Sequence, residues 1–310
     1  SVSGADLAQQ LGMSRAAIWA RIEELRKLGY EITANPHQGY RLLSTPDALH
    51  ADDLLARLPD NQIVGRDIRV FEETNSTNDV AEKLARDGVR EGAVVFAESQ
   101  KKGRGRLGRT WLSPARKGLW FSVLLRPDLR PQAATQLTVV AATALARAIH
   151  RQTNLTPEIK WPNDILLHGK KVAGILTELS AELDHVKYLI IGIGVDVNLT
   201  NADLPADLRK IATSLRIESG QPVSRPELAA AILRELDANY ARVRAGQFAA
   251  VADEWEEQCT TLGRTVTIRI GDRAQTGVAE SRDSEGALLL RTQHGRLERI
   301  IGGDVTVEKG

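Results

Sequence analysis

The sequence predicts a multidomain α+β protein, because three kinds of pattern follow one another along its 310 residues. Two short apolar-periodic helices and a small hairpin come first. Longer amphipathic helices set between apolar strands fill the middle, and short alternating strands separated by turn residues end the chain. We therefore expect three domains, at residues 1–46, 47–260 and 261–310, with a linker around Thr45 and Pro46.

The N-terminal pattern predicts a winged helix-turn-helix. Apolar residues at helical spacing occupy residues 5–28 on both sides of a turn, Gly12-Met13-Ser14. Ser14 suits the N-cap of the second helix, and Gly29 suits its C-terminal stop. Alternating residues at 30–33 and 39–43, around the turn residues 35–39, then predict a hairpin wing.

Such a domain places its second helix in the major groove of DNA. The candidate DNA contacts are Ser14, Arg15, Trp19 and Arg21. Many short helical pairs bind no DNA, and that alternative stays open. Winged domains also normally carry a helix before these two. Since the sequence begins at Ser1, we expect that helix to be missing, which puts operator binding in question.

The middle and last regions are predicted from periodicity. Helices are expected at residues 77–86, 133–152, 226–245 and 248–259, and strands at 93–97, 165–167, 172–178 and 190–198. Gly169 suits a hairpin turn, which puts Lys171 at the start of a strand, a rigid position for an ammonium group. Short alternating segments at 265–270, 275–280, 287–292 and 305–308 predict a small β-barrel.

Composition excludes several classes of protein. The single cysteine, Cys259, excludes an internal disulfide and fits a reducing cytosol, so we expect a cytoplasmic protein with Cys259 buried in a helix. The longest apolar run, residues 188–195, is too short to span a bilayer, and no secretion signal is evident. Six scattered histidines lack ligand spacing, so no structural metal is expected.

A basic, glycine-rich loop at residues 101–111 carries five cations and three glycines in a chain of net charge +1. Like charges about 4 Å apart repel by roughly 4 kcal/mol at an effective dielectric of about 20, so this density suits either a solvated loop or one that faces negative charge. The segment contains a formal Gly-x-Gly-x-x-Gly match, but Ser113, Pro114 and Gly118 interrupt the helix that a dinucleotide fingerprint requires. A phosphate-binding loop between strands is the favoured interpretation, and a disordered basic loop is the alternative.

Five motifs occur in one order over more than a hundred residues. They are Ser76-Thr77-Asn78, Gln100 with the Gly-Arg-Gly-Arg-x-Gly-Arg-x-Trp loop at 103–111, Lys-Trp-Pro-Asn-Asp at 160–164, Lys-x-Ala-Gly-Ile-Leu-x-Glu at 171–178, and Gly-Ile-Gly-x-x-x-Asn at 192–198. In this set and order the chain resembles the biotin protein ligases, and more closely the bifunctional form that also represses the biotin operon.

The resemblance implies a central mixed α/β ligase domain with a mixed sheet and a C-terminal SH3-like barrel. It implies that biotin and ATP, with Mg²⁺ on the ATP phosphates, give biotinyl-5'-AMP, from which biotin passes to a lysine of the biotin carboxyl carrier protein of acetyl-CoA carboxylase. It also implies operator DNA as a partner, biotinyl-5'-AMP as corepressor, and a homodimer that forms on adenylate binding.

The resemblance also implies the roles of individual residues. Lys171 and Arg104 would be catalytic, and Asp164 is our candidate to orient or deprotonate the acceptor lysine. The candidate biotin contacts are Ser76, Thr77, Asn78, Gln100, Gly103, Arg104, Gly105, Arg106, Lys171 and Gly174. The candidate ATP contacts are Arg104, Arg106, Arg109, Trp111, Asn163 and Lys171.

Three alternatives stay open. A lipoate or octanoate ligase or transferase would share the architecture and the acyl chemistry. A repressor could retain biotinyl-adenylate solely as a corepressor, without ligase activity. Asn163 and Asp164 could also serve only the backbone of a turn.

Overall fold

A computed structural model of the protein describes residues 1–35 and 38–307. The chain divides into two compact units, Ser1–Ala48 and Leu49–Gly310. Pro36 and His37 of the predicted wing turn, and Glu308 of the last predicted strand, lie outside the described residues. The three-domain division at residues 46 and 260 stays a prediction.

The first unit contains two helices followed by a hairpin, as the sequence predicts. Its elements are α1 Gly4–Leu11, α2 Arg15–Lys27, β1 Glu31–Asn35 and β2 Gly39–Ser44, and the two strands pair antiparallel. The Ser14 hydroxyl accepts a hydrogen bond from the Ala17 N–H at 3.2 Å, which confirms Ser14 as the N-cap of α2. Ile18 and Ile22 are buried at one-turn spacing, so α2 packs inside its own unit along that face.

The second unit is built on a mixed seven-stranded sheet within residues 49–307. Its strands are β3 Asp67–Thr74, β4 Ala93–Gln100, β5 Gly118–Leu125, β6 Glu158–Lys160, β7 Asp164–Leu167, β8 Lys170–Glu182 and β9 His185–Asp196. The spatial order is β3-β4-β5-β9-β8-β7-β6, in which β3 and β4 are parallel and every other neighbouring pair is antiparallel. The predicted hairpin at Gly169 joins β7 to β8, and the basic loop connects β4 to β5.

Helices pack on both faces of this sheet. They are α3 Ala51–Ala56, α4 Thr77–Arg86, α5 Thr135–Thr153, α6 Leu215–Ser219, α7 Arg225–Arg244 and α8 Phe248–Gln258. The main core joins α5, α7 and α8 to one face of the sheet, where Phe96 stacks on Phe121 at 4.9 Å between ring centroids. On the opposite face α4 covers a smaller cluster that includes Val95 and Leu124. Beside it, a third cluster of Trp120, Leu199 and Leu204 packs on the same face.

A buried ion pair ties α7 to the sheet. The Arg225 guanidinium donates to the carboxylate of Glu98 on β4 and, at 3.3 Å, to the Gly118 carbonyl on β5. The Leu49 N–H donates to the same carboxylate at 3.0 Å. Because Arg225 and Glu98 are both almost fully buried, removing either one would leave an uncompensated charge in the core.

The last part of the second unit is a five-stranded antiparallel sheet. Its strands are β10 Thr265–Ile270, β11 Arg273–Arg282, β12 Leu288–Thr292, β13 Leu297–Ile300 and β14 Asp304–Val307, in the order β13-β12-β11-β10-β14. Val266, Ile268 and Leu290 alternate with partly or fully exposed positions and form its buried side. Four of the strands were predicted; β13 was not.

Other elements also differ from the sequence-based expectations. Strands β3, β5 and β6 and helices α3 and α6 were not predicted. β5 is buried along its whole length, so its apolar run carries no alternation to mark it as a strand. Cys259 is buried as expected, but it follows the end of α8 and forms an isolated β-bridge with Ile159, so its placement in a helix was wrong.

Among the described residues, no helix has the length and apolar character needed to cross a membrane.

Candidate active site

The floor of the site is set by the register of three antiparallel strands. On β9, Gly192, Gly194 and Asp196 alternate with Ile191, Ile193 and Val195, which belong to the core beneath α5 and α7. Gly192 lies opposite Ser122 of β5 and Leu176 of β8. The two glycines therefore leave a strip of the outward face without side chains.

That strip is occupied by side chains from outside the sheet. A Cβ on Gly192 would lie 2.2 Å from Asn78 Oδ1, and one on Gly194 would lie 2.5 Å from the indole of Trp111. Real Cβ atoms do not approach other atoms that closely, so Asn78 and Trp111 can lie flat on the sheet only because both positions are glycine.

A cavity of about 530 Å³ opens above this floor. All the ligand-binding and catalytic candidates predicted from the sequence line it, with the exception of Gly103. They are Ser76, Thr77, Asn78, Gln100, Arg104, Gly105, Arg106, Arg109, Trp111, Asn163, Asp164, Lys171 and Gly174. Gly103 instead packs against the backbone at the other end of the loop, where a Cβ on Gly103 would lie 2.5 Å from the Trp111 carbonyl oxygen.

One end of the cavity is polar, buried and connected by hydrogen bonds. Thr77 and Asn78 at the start of α4 are each 3% exposed. The Ser122 hydroxyl contacts Asn78 Oδ1 at 2.5 Å and Thr77 Oγ1 at 2.7 Å, and the Thr77 N–H donates to Gln100 Oε1 at 2.9 Å. Gln100 in turn donates to the Ser113 hydroxyl at 2.9 Å. This end can present fixed donors and acceptors to a small polar ring.

The basic loop forms one wall of the cavity. It is closed by a hydrogen bond from the Gly105 N–H to the Arg109 carbonyl at 2.7 Å, and a short 3-10 turn follows at Arg106–Gly108. Arg106 donates to Asn163 Oδ1 at 3.2 Å, while Arg109 pairs with Asp304 of β14 at 2.5 Å. The loop therefore lies between strands, as predicted, and its arginines have partners within the protein.

Arg104 is held by two carboxylates. It donates to Glu178 of β8 at 3.0 and 3.2 Å and to Asp79 of α4 at 2.6 Å. Burial lowers the pKa of Arg104, but hydrogen bonds to Glu178 and Asp79 outweigh that effect and leave the pKa raised. Arg106 differs, since burial dominates there and lowers its pKa.

Lys171 projects into the cavity from the start of β8. Its ammonium lies 2.5 Å from a carboxylate oxygen of Asp164 and 5.1 Å from the centroid of the Trp111 ring. The buried indole N–H of Trp111 has no hydrogen-bond partner among the described residues. This N–H edge packs on the sheet, since a Cβ on Gly194 would lie 2.5 Å from it.

Asp196 is a buried acid that sequence reasoning missed. It lies on the cavity floor, is 7% exposed, and has its pKa raised well above the usual value by burial, an effect that the nearby Lys171 charge partly opposes. Ser122 and Glu178 were missed as site residues as well. An acid inside the apolar run of β9, and a serine inside that of β5, were the available signals.

The first unit contains the predicted DNA contacts. Arg15, Trp19 and Arg21 are exposed on α2, with Trp19 58% exposed, while Arg21 pairs with Glu24 at 2.7 Å. Ser14 serves as the helix cap described above. Because Arg15 and the exposed Trp19 are one helical turn apart, α2 has a face able to contact a polyanion.

Three family models match separate parts of the chain. The biotin/lipoate A/B protein ligase family matches residues 70–196, which include the cavity floor. A helix-turn-helix domain matches residues 1–41, and the biotin protein ligase C-terminal domain matches residues 261–307.

Relatives match almost the whole chain. The bifunctional ligase/repressor BirA of Bacillus spizizenii is 38% identical over 304 residues, 98% of this chain and 93% of that protein. The Escherichia coli protein of the same description is 32% identical, with 98% and 92% covered. A structure of the biotin protein ligase of Aquifex aeolicus in complex with biotin and ATP superimposes with a TM-score of 0.67 at 30% identity, covering 79% of this chain and 100% of the other.

Proposed function

The chain belongs to the biotin protein ligase family, in its bifunctional ligase and repressor form, and from this premise we propose that the cavity activates biotin with ATP and transfers it to a carrier protein. One observation carries the proposal. Arg104, Arg106 and Lys171 come from two separate segments, yet they line a single cavity whose other end is polar and buried.

Activation is required because a carboxylate is a poor acyl donor. The biotin carboxylate must attack the α-phosphate of ATP, so that a mixed anhydride forms and pyrophosphate leaves. Two anions meet in this step, and Arg104, Arg106 and Lys171 offset their repulsion and stabilise charge on the phosphoryl oxygens. Asn78, Thr77, Ser76 and Gln100 hold the ureido head, since amide and hydroxyl groups pair with its N–H and C=O groups.

The nucleotide lies over the other half of the floor in this proposal. Trp111 supplies a flat ring, while Arg109 and Asn163 contact the same side. Magnesium is held mainly by the ATP phosphates and neutralises part of their charge. Asp164, whose carboxylate is of the kind magnesium prefers, lines the same cavity.

Transfer to the carrier requires a neutral amine. A free lysine with a pKa of about 10.4 is unprotonated only about once in a few thousand molecules at neutral pH. Asp164 is our candidate to accept that proton or to orient the amine, because its carboxylate lines the cavity beside Lys171. The acyl–phosphate bond then breaks, AMP leaves, and an amide forms on the carrier lysine.

The finer assignments of the other regions are also proposals. We infer that the helices and hairpin of the first unit form a winged helix-turn-helix for operator DNA, and that the C-terminal sheet is an SH3-like barrel. Biotinyl-5'-AMP serves as corepressor, and its binding favours a homodimer through the catalytic region. We infer that the carrier is the biotin carboxyl carrier protein of acetyl-CoA carboxylase; a relative in Paracoccus denitrificans is named a biotin–acetyl-CoA-carboxylase ligase.

One assay tests the activity. The protein is incubated with ATP, magnesium, a carrier domain and either biotin, lipoate or octanoate, and the carrier is weighed by mass spectrometry. We expect one biotinyl group on the carrier and no lipoyl or octanoyl group. Acylation by lipoate in place of biotin would assign the chain to the other branch of the wider family. Formation of biotinyl-adenylate without transfer would leave only the repressor function.

A further inference from the structure

Glu178 contacts two residues with different proposed tasks. Its Oε2 accepts hydrogen bonds from Asn78 Nδ2 at 2.6 Å and from Arg104 Nη2 at 3.0 Å, and its Oε1 accepts from Arg104 Nε at 3.2 Å. Asn78 lies at the buried end of the cavity, and Arg104 lies in the basic loop. A single carboxylate on β8 therefore joins the end proposed to hold the biotin head to the arginine proposed to activate the carboxylate.

Asn78 has one orientation in this arrangement. Its Oδ1 accepts from the Ser122 hydroxyl at 2.5 Å and lies directly above Gly192, while its Nδ2 donates to Glu178. An amide nitrogen carries two N–H bonds, and one of them is used by Glu178 among the described residues. The second N–H is left in a fixed direction for an acceptor on a ligand.

Arg104 is oriented in a comparable way. A guanidinium has five N–H donors, and here Nε and Nη2 each give one to Glu178 while Nη1 gives one to Asp79. Within residues 1–35 and 38–307, one N–H on Nη1 and one on Nη2 remain for a ligand. Guanidinium N–H groups are suited to the oxygens of a carboxylate or phosphate. Glu178 holds the guanidinium along its Nε and Nη2 side.

We propose that Glu178 is a positioning residue that fixes Asn78 and Arg104 together, so that binding of the head group and activation of the carboxylate depend on one side chain. This inference rests on the proposed function. Glu178 contacts neither substrate in it, and acts through the two residues it holds. Its charge matters for Arg104, because a neutral partner would keep an acceptor oxygen but lose the ion-pair attraction to the guanidinium.

The test uses Glu178→Gln, which retains the side chain's shape and an acceptor oxygen but loses the charge. We expect biotin affinity, measured by calorimetry, to fall about 10-fold, and the rate of pyrophosphate release at saturating substrates to fall about 10-fold or more. Glu82→Gln is the matched control. It removes the same charge from the neighbouring surface, where Glu82 pairs with Arg86, and both quantities should stay within about twofold of wild type.

A second arm separates positioning from general destabilisation. In an Arg104→Gln background, Glu178→Gln should have little further effect on the rate of pyrophosphate release. The proposal has Glu178 act on that rate by orienting the Arg104 guanidinium, which is already absent. Its effect on biotin affinity, which acts through Asn78, should persist. Equal rate effects in both backgrounds would overturn the proposal, as would a Glu178→Gln protein that melts earlier but has unchanged affinity and rate. A faster rate would mean that the carboxylates restrain Arg104, and would overturn it too.

The wild-type protein distinguishes this inference from the function on which it rests. If wild type forms no biotinyl-adenylate, the proposed function fails and the role of Glu178 in activation is rejected with it. If wild type is active and Glu178→Gln matches it in both measurements, only the role of Glu178 is rejected.

Discussion

The Lys171 ammonium lies 2.5 Å from the carboxylate of Asp164, across the hairpin formed by β7 and β8. The two charges neutralise each other within the protein, and both line the cavity. An incoming anion would compete with Asp164 for Lys171, and we propose that substrate binding releases the carboxylate from its partner. The two residues can therefore serve successive steps, with Lys171 acting in activation and Asp164 in transfer.

Lys171→Gln should impair the first step. The substitution removes a cation aimed at the junction of carboxylate and phosphate, so we expect pyrophosphate release to slow by about 100- to 1,000-fold, as when one donor to a developing oxyanion is lost. Stopped-flow detection of pyrophosphate measures this. Transfer from chemically prepared biotinyl-adenylate should be affected much less, and an equal loss in both steps would contradict a specific role in activation.

Asp164→Asn should impair the second step. The amide cannot accept the proton of the carrier lysine, so transfer from preformed biotinyl-adenylate should slow by about 100-fold. The assay follows the mass of the carrier domain over time, with no ATP present. Transfer at the wild-type rate would show that Asp164 only stabilises the turn or pairs with Lys171.

Gly192→Ala should weaken biotin binding. The added methyl group would meet Asn78 Oδ1 at 2.2 Å, and overpacking of this kind costs about 1 to 3 kcal/mol, so affinity should fall about 5-fold or more. Calorimetry with biotin measures the loss. When Asn78→Ala is introduced first, the clash disappears and Gly192→Ala should cost little further affinity. If Gly192→Ala still lowers affinity by its full amount, the clash with Asn78 is not the cause of the weaker binding.

Asp196→Asn should stabilise the protein at neutral pH. Burial raises the pKa of Asp196, so the folded state binds its proton more tightly than the unfolded state does. The free-energy cost of burying the charged carboxylate is absent below its ordinary pKa of about 3.8. This cost grows as the pH rises towards the raised pKa of the folded state, and it is complete above that pKa. We expect the melting temperature of Asp196→Asn to exceed that of wild type by about 2 to 4 °C at pH 7. The difference should shrink towards pH 4, and a constant difference would mean that titration is not its cause.

Much of the fold could be predicted because its elements have strong local signals. The bounds of α4 coincide with the predicted 77–86, since its apolar residues recur at helical spacing on one face. The β7–β8 hairpin was indicated by Gly169, which has a φ of 75° that few other residues adopt. Strand β5 was missed because a strand buried on both faces looks the same as any apolar run.

The candidate site was predicted in part. The motifs identified residues that line one cavity, including Arg104 and Lys171, which are far apart in the sequence. Ser122 and Asp196 were not identified from the sequence, because a polar residue within an apolar run does not show which face of a strand it occupies. The ion pairs of Arg104 with Asp79 and Glu178 were also not predicted, since they depend on how α4 and β8 approach the loop. Gly103 supports the loop from below and does not border the cavity.

The alternation along β9 limits how this strand can change in evolution or design. A slip of one residue in its pairing would carry Gly192 and Gly194 into the hydrophobic interior and push Ile191 and Ile193 out among the polar groups. The packing of the core and the cavity would then be lost together. Insertions or deletions between Ile190 and Asp196 should therefore not be tolerated, whereas an inserted residue in the hairpin at the start of β9, near Leu183, leaves the phase of the strand unchanged.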